Sequence, residues 1–220
     1  MNLTPVDPDR LPEILDGFAR HLRGDAPAAR AFAALAATAA HGSTAATAYD
    51  LPHHRADAVA LAHRFAIPLV DGYPADGFSW DGHAIRTRSE ASVLVHEVAH
   101  WLVAPPERRA LPDFGLGAGP ETGRVAEADA ARCVAQDVKE EEELLASLLG
   151  ILWEAMLGQP AILSFIEQNW LEAWDRPAAG EQFRRVVGAL RRRGQIGEKG
   201  LPETTADVPV RRAGPEIAVS

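Results

Sequence analysis

The chain holds a single cysteine, Cys133, among its 220 residues. One thiol allows no intramolecular disulfide and no cysteine-rich zinc site, so any metal has to be held by histidine and carboxylate. Cys133 itself reads as a small buried apolar residue. The sequence also lacks a run of about 18 apolar residues, which excludes a membrane-spanning helix. It has no basic start followed by an apolar stretch. MNLTPVDPDRLPEI is acidic and carries prolines, does not read as a secretory signal, and leaves the cytoplasm as the expected location. Positive charge is in short supply too. Lys and Arg number 22 against 31 Asp and Glu, a formal net charge of −9. No direct nucleic-acid partner and no membrane surface is therefore expected. There is no internal repeat.

What remains is a composition of 47% hydrophobic and 24% charged residues, enough for one ordinary core. Leu11, Ile14, Leu15, Phe18 and Leu22 recur at helical spacing, with Asp9 as the expected N-cap. Ala28–Ala40 and Asp57–Phe65 read as further helices. FSW-DG-HAIR then carries an Asp-Gly pair between alternating segments, the signature of a hairpin. Phe78 and Trp80 would share one face of it, and His83 and Ile85 another. Ser89–Val103 reads as a helix stopped by Pro105-Pro106. A loop of about twenty residues follows, a length that often carries function. Glu121–Met156, broken once, Ala161–Trp174 and Glu181–Arg193 read as the remaining helices. The expected organisation is a single metal-binding catalytic domain over residues 1–193, with a helical N-terminal part over 1–66. Residues 194–220 read as a flexible tail.

Within the helix after the hairpin stands HEVAH. Residues four apart on a helix share a face, so His96 and His100 can present two imidazoles to one ion. Glu97, beside the first, can reach a water bound to that ion. This is the HExxH pattern, with His96 and His100 as ligands and Glu97 as the catalytic proton carrier. The flanking Val93, Leu94, Val95, Val98, Ala99, Trp101 and Leu102 make the helix apolar nearly all round, hence buried. Three ionisable groups in a buried helix are costly unless paired or metal-bound. The extended pattern with a third histidine is absent, because Val103 and Pro106 occupy those places. A downstream carboxylate is needed. Counting back from the stripe Leu144, Leu145, Leu148, Leu149 and Leu152 places Glu140 and Glu141 toward the core and turns Glu142 and Glu143 outward. Glu141 is thus the expected third ligand, then Glu140, then Glu127.

HEVAHWLVAPPERRALPDFG, His96 to Gly115, resembles the elongation factor P hydroxylase family. The likeness rests on His96, Glu97, His100, Trp101, Ala104, Arg108, Arg109, Leu111, Asp113, Phe114 and Gly115. It implies a zincin-like site holding iron through two histidines and a downstream glutamate. It also implies oxygen-dependent hydroxylation of a lysine-type side chain, with elongation factor P as the protein substrate. The expected fold class is α+β: a mostly helical, zincin-like single domain with a small β hairpin or sheet beside the HExxH helix. One divalent metal ion is expected, Fe2+ before Zn2+, which shares these ligands. Arg108, Arg109 and Asp113 either contact substrate or pair with one another to fix the loop. Two other readings stay open. One is a zinc peptidase or hydrolase with Glu97 as general base. The other is a non-catalytic binding module with a structural metal.

Overall fold

The structure, a computed structural model, describes residues 7–39, 51–74, 78–119 and 122–203. Helix α1 (Leu11–His21) follows a 3-10 turn, Pro8–Arg10, so Arg10 rather than Asp9 occupies the capping position. Arg10 pairs with Glu13 instead of capping. Helix α2 (Ala26–Ala37) is capped by Asp25, whose Oδ1 accepts from Ala28 N at 3.0 Å. Helix α3 is Pro52–Arg64. The part of the expected second helix at Ala40 lies outside the described residues.

Strands β1 (Leu69–Val70) and β2 (Ile85–Arg86) form a two-stranded sheet. It is parallel, with Leu69 opposite Ile85 and Val70 opposite Arg86. The expected hairpin survives as one antiparallel bridge between Trp80 and Ile85. The Asp81 carboxylate is the reason. Its Oδ1 accepts from both His83 N and Ala84 N, at 2.8 and 2.9 Å. That opens the turn to four residues, so Trp80 faces Ile85 and not His83. Phe78 and Trp80 are buried together as expected, but His83 is exposed while Ile85 is buried.

Helix α4 (Ala91–Val103) carries HEVAH. The loop after it contains two 3-10 turns, Pro106–Arg108 and Pro112–Gly115, and leads to a short helix α5 (Val125–Ala131). Helix α6 (Gln136–Met156) starts after the expected single break. Helices α7 (Ala161–Glu167) and α8 (Pro177–Arg192) follow as the last helices among the described residues. Helix α7 stops short of Trp174, and Asn169 and Ala173 beyond it have positive φ.

Phe18, Phe32, Phe165 and Phe183 form the centre of the core, with rings 4.8 to 6.1 Å apart. They come from α1, α2, α7 and α8. Edge-to-face pairs at such distances add to the burial of area itself. Helix α6 runs through the middle and touches α2, α4, α7 and α8, while α4 lies between α6 and α3. The molecule is thus mostly helical with a small sheet, and β2 packs on α4. Residues 194–203 continue against this body. Ile196 is buried, Gln195 donates to Leu102 O, and Arg30 donates to the carbonyls of Glu198 and Lys199. No helix among the described residues is long and apolar enough to cross a membrane.

Candidate metal centre

His96 and His100 leave the same face of α4, as four-residue spacing requires. Their Nε2 atoms face each other at 3.0 Å. Glu143 of α6 brings Oε2 to 3.4 Å from His100 Nε2. Among the described residues, His96, His100 and Glu143 are the group able to hold a metal ion, their ligand atoms all within 4.8 Å of one another.

The protonation states follow from this crowding. Burial, then the neighbouring His100, drive the His96 pKa down to about 3, so its ring is neutral at any physiological pH. Burial opposes protonation of His100 as well, but the Glu143 carboxylate outweighs it, helped by Glu97 and Asp113, and the His100 pKa is raised. Burial alone would lift Glu143, yet His100 facing it holds the carboxyl down at about 2. A neutral imidazole, a second imidazole and an ionised carboxylate aimed at one another fit a divalent cation. A cation bound there would displace the His100 proton, which would couple loading to pH. His96 Nδ1 is buried with no hydrogen-bond partner among the described residues. Packing therefore orients that ring. Gly150 of α6 lies against the His96 backbone: a Cβ there would come within 3.3 Å of His96 Cα.

Glu143 was turned outward in the reading from the leucine stripe, and the structure turns it to the histidines instead. The other carboxylates go elsewhere. Glu140 accepts from Gln136 on an exposed surface. Glu141 pairs with Arg185 of α8. Glu127 pairs with Arg124, both more than half exposed. Glu142, also read as outward, is buried against Arg108. The signal for Glu143 lay in small residues. Glu143, Ala146 and Gly150 fall three and four apart, on the stripe that lets α6 approach α4 closely.

Neither arginine pairs with Asp113. Arg108 is buried, its Nη2 donating to both carboxylate oxygens of Glu142 and its Nη1 to Phe114 O at 2.9 Å. Arg109 lies 4.7 Å over the Trp101 ring and donates from Nε to Ala104 O. Asp113 accepts from Thr122 Oγ1 at 2.6 Å, and burial raises its pKa. Asp113 and Phe114 have φ of 43° and 55°, followed by Gly115 at 70°. Left-handed backbone at non-glycine residues costs about 1–3 kcal/mol each and marks places held by their surroundings. Here it lays the Phe114 ring on His100, 5.6 Å between centroids and 14° from parallel. Trp80 also stacks on Phe114, at 5.4 Å. Glu97 is buried one residue from His96. His83, in the open turn, does not line the centre. Cys133 is exposed, not buried as its residue type suggested. It sits where α5 and α6 meet, its Sγ 3.7 Å from Gly115 O.

Residues 74–140 match the family model of elongation factor P hydroxylase. The match bears out the resemblance read from His96–Gly115. It spans under a third of the chain, includes His96, Glu97, His100, Arg108, Arg109 and Asp113, and stops just before Glu143. No curated protein and no solved structure matches the chain.

Proposed function

We propose that the chain is a metal-dependent hydroxylase of the elongation factor P hydroxylase type. It acts on a lysine-type side chain of a protein, with elongation factor P as the candidate substrate and the cytoplasm as its place of action. The observation that carries this reading is the meeting of Glu143 with His96 and His100, the two histidines of the segment that matches that family. An HExxH helix answered by a glutamate from a second helix is a zincin-like arrangement, and two imidazoles with one carboxylate suit iron. Bound Fe2+ supplies the activation of oxygen.

The chain supplies the rest. Neutral His96 offers its Nε2 lone pair without first losing a proton. Glu143, ionised down to low pH, contributes the negative charge. Glu97, buried beside His96, holds or moves a proton at the site. Phe114, backed by Trp80, covers one face of the His100 ring and keeps water from it. Arg109 and Asp113 flank the centre and are the candidates for touching substrate.

Zinc hydrolysis with Glu97 as general base uses the same ligands. An extended peptide, however, wants a strand edge beside the metal, and the two-residue strands here give little edge. The test begins with metal content by mass spectrometry on protein purified without chelators, wild type beside His96→Ala. The expected result is about one equivalent of iron, lost in the variant. Iron-loaded protein is then given oxygen, a reductant and lysine-modified elongation factor P, and the substrate's intact mass is followed for one added oxygen. Peptide cleavage by a zinc-loaded chain, abolished in Glu97→Gln, with no oxygen added under any loading, would replace the hydroxylase with the hydrolase.

A further inference from the structure

One guanidinium joins α6, which carries Glu143, to the turn whose Phe114 ring lies on His100. Arg108 donates from Nη2 to both oxygens of Glu142, the residue next to Glu143 on α6. From Nη1 it donates to Phe114 O, the carbonyl of the residue whose ring lies on His100. Both side chains are nearly closed to solvent, each 10% exposed. The fork geometry of arginine makes this possible, because a planar guanidinium can satisfy a carboxylate and a third acceptor at once. The carbonyl it holds belongs to a residue with left-handed backbone, φ 55°. Such a conformation persists only where neighbours fix it.

We propose that Arg108 is a positioning residue of the metal centre. With Glu142 it sets Glu143 against the histidines, and through Phe114 it sets the plane of the His100 ring. It does not contact substrate, because its guanidinium is buried and already engaged on both sides. The inference rests on the metal reading above and deepens it. Groups that orient metal ligands without touching the ion are typically worth about 10–100-fold in metal affinity.

Affinity for Zn2+ and for Co2+ is measured by competition with a chromophoric chelator, alongside the Co2+ absorption spectrum and thermal unfolding of the metal-free protein. Arg108→Met leaves Glu142 as a lone buried charge and can fail to fold for that reason alone. Arg108→Lys keeps the charge beside Glu142 but cannot also reach Phe114 O. Arg108→Met with Glu142→Leu removes the charges together. For both Arg108→Lys and the double variant, the expectation is about 10–100-fold weaker metal binding and an altered Co2+ spectrum. Each should still unfold in one cooperative transition. A purely structural ion pair would behave differently: the double variant would recover affinity and spectrum along with stability. Wild-type affinity and spectrum in either folded variant would overturn the positioning role while the metal reading stood. A wild-type chain that binds neither ion would overturn both.

Discussion

Four glutamates follow one another at the start of α6, and each meets a different neighbour: Gln136, Arg185, Arg108 and His100, in order from Glu140 to Glu143. A helix turns by about 100° per residue, so adjacent side chains cannot share a role. Glu143→Gln should therefore lower metal affinity by on the order of 100-fold or more, beyond the loss typical of a group behind the ligands. Glu141→Gln should leave it within about twofold, since an exposed ion pair with Arg185 contributes little. Titration of metal-free protein with Zn2+ distinguishes them, and the reverse order of losses would restore Glu141 as the ligand. The meeting of His96 and His100 was legible in the sequence because four-residue spacing and an apolar surround leave few other uses for them. Glu143 was not. Residues 145–154 of α6 are buried almost without exception, so the leucines mark a core and not the direction of α4. The face toward α4 is written in Ala146 and Gly150, which hydrophobicity alone passes over.

Between α4 and α6 the spacing is fixed by what is missing from a side chain. Gly150 puts backbone against backbone at His96, and the approach lets Glu143, about two turns earlier, reach the histidines. Gly150→Leu should force the helices apart. Overpacking of this kind costs typically about 1–3 kcal/mol, so chemical denaturation should show a loss of that size. Metal affinity should fall with it, although no ligand has been touched. A variant destabilised to that extent but binding metal as the wild type does would mean that α6 can slide without moving Glu143. The sheet shows the opposite balance of local and distant influence. Asp-Gly between alternating segments correctly marked a turn, and Gly82 has the positive φ of 89° that such a turn uses. The pairing partner was out of reach of local pattern, because β1 lies 16 residues before β2 and is only two residues long. The same holds for the loop from Pro105 to Gly119. Its length flagged function, while Phe114, left-handed beside Asp113, carries a bulky residue type that ordinarily avoids that conformation.

Taken as a whole, the molecule hangs on α6, which carries Glu143 at one end and Glu154 about 16 Å further along the axis. Glu154 is fully buried, accepts from Ser164 Oγ at 2.7 Å, and has no role at the metal. Burial first, with nearby Glu167 adding to it, lifts its pKa from 4.5 to about 8 against the pull of the Ser164 hydroxyl. The folded chain thus keeps a proton that the unfolded chain gives up near pH 4.5. Below that value both states hold the proton, and the stability tied to Glu154 is fully present. Between about pH 4.5 and 8 only the folded state holds it, and stability falls by about 1.4 kcal/mol per pH unit. Above about pH 8 the folded state releases it too, and the slope from this group ends. Glu154→Gln is neutral throughout and should remove this slope. Unfolding by denaturant at half-unit steps from pH 5 to 8 should then give two curves that draw apart as pH rises, with the wild type losing ground to the variant. Other titrating groups, Glu143 and His100 included, are common to both chains and cancel in the difference. Parallel curves would mean that water or a rearranged α7 reaches Glu154 and lets it ionise in place, and that this end of the core is less closed than its packing shows.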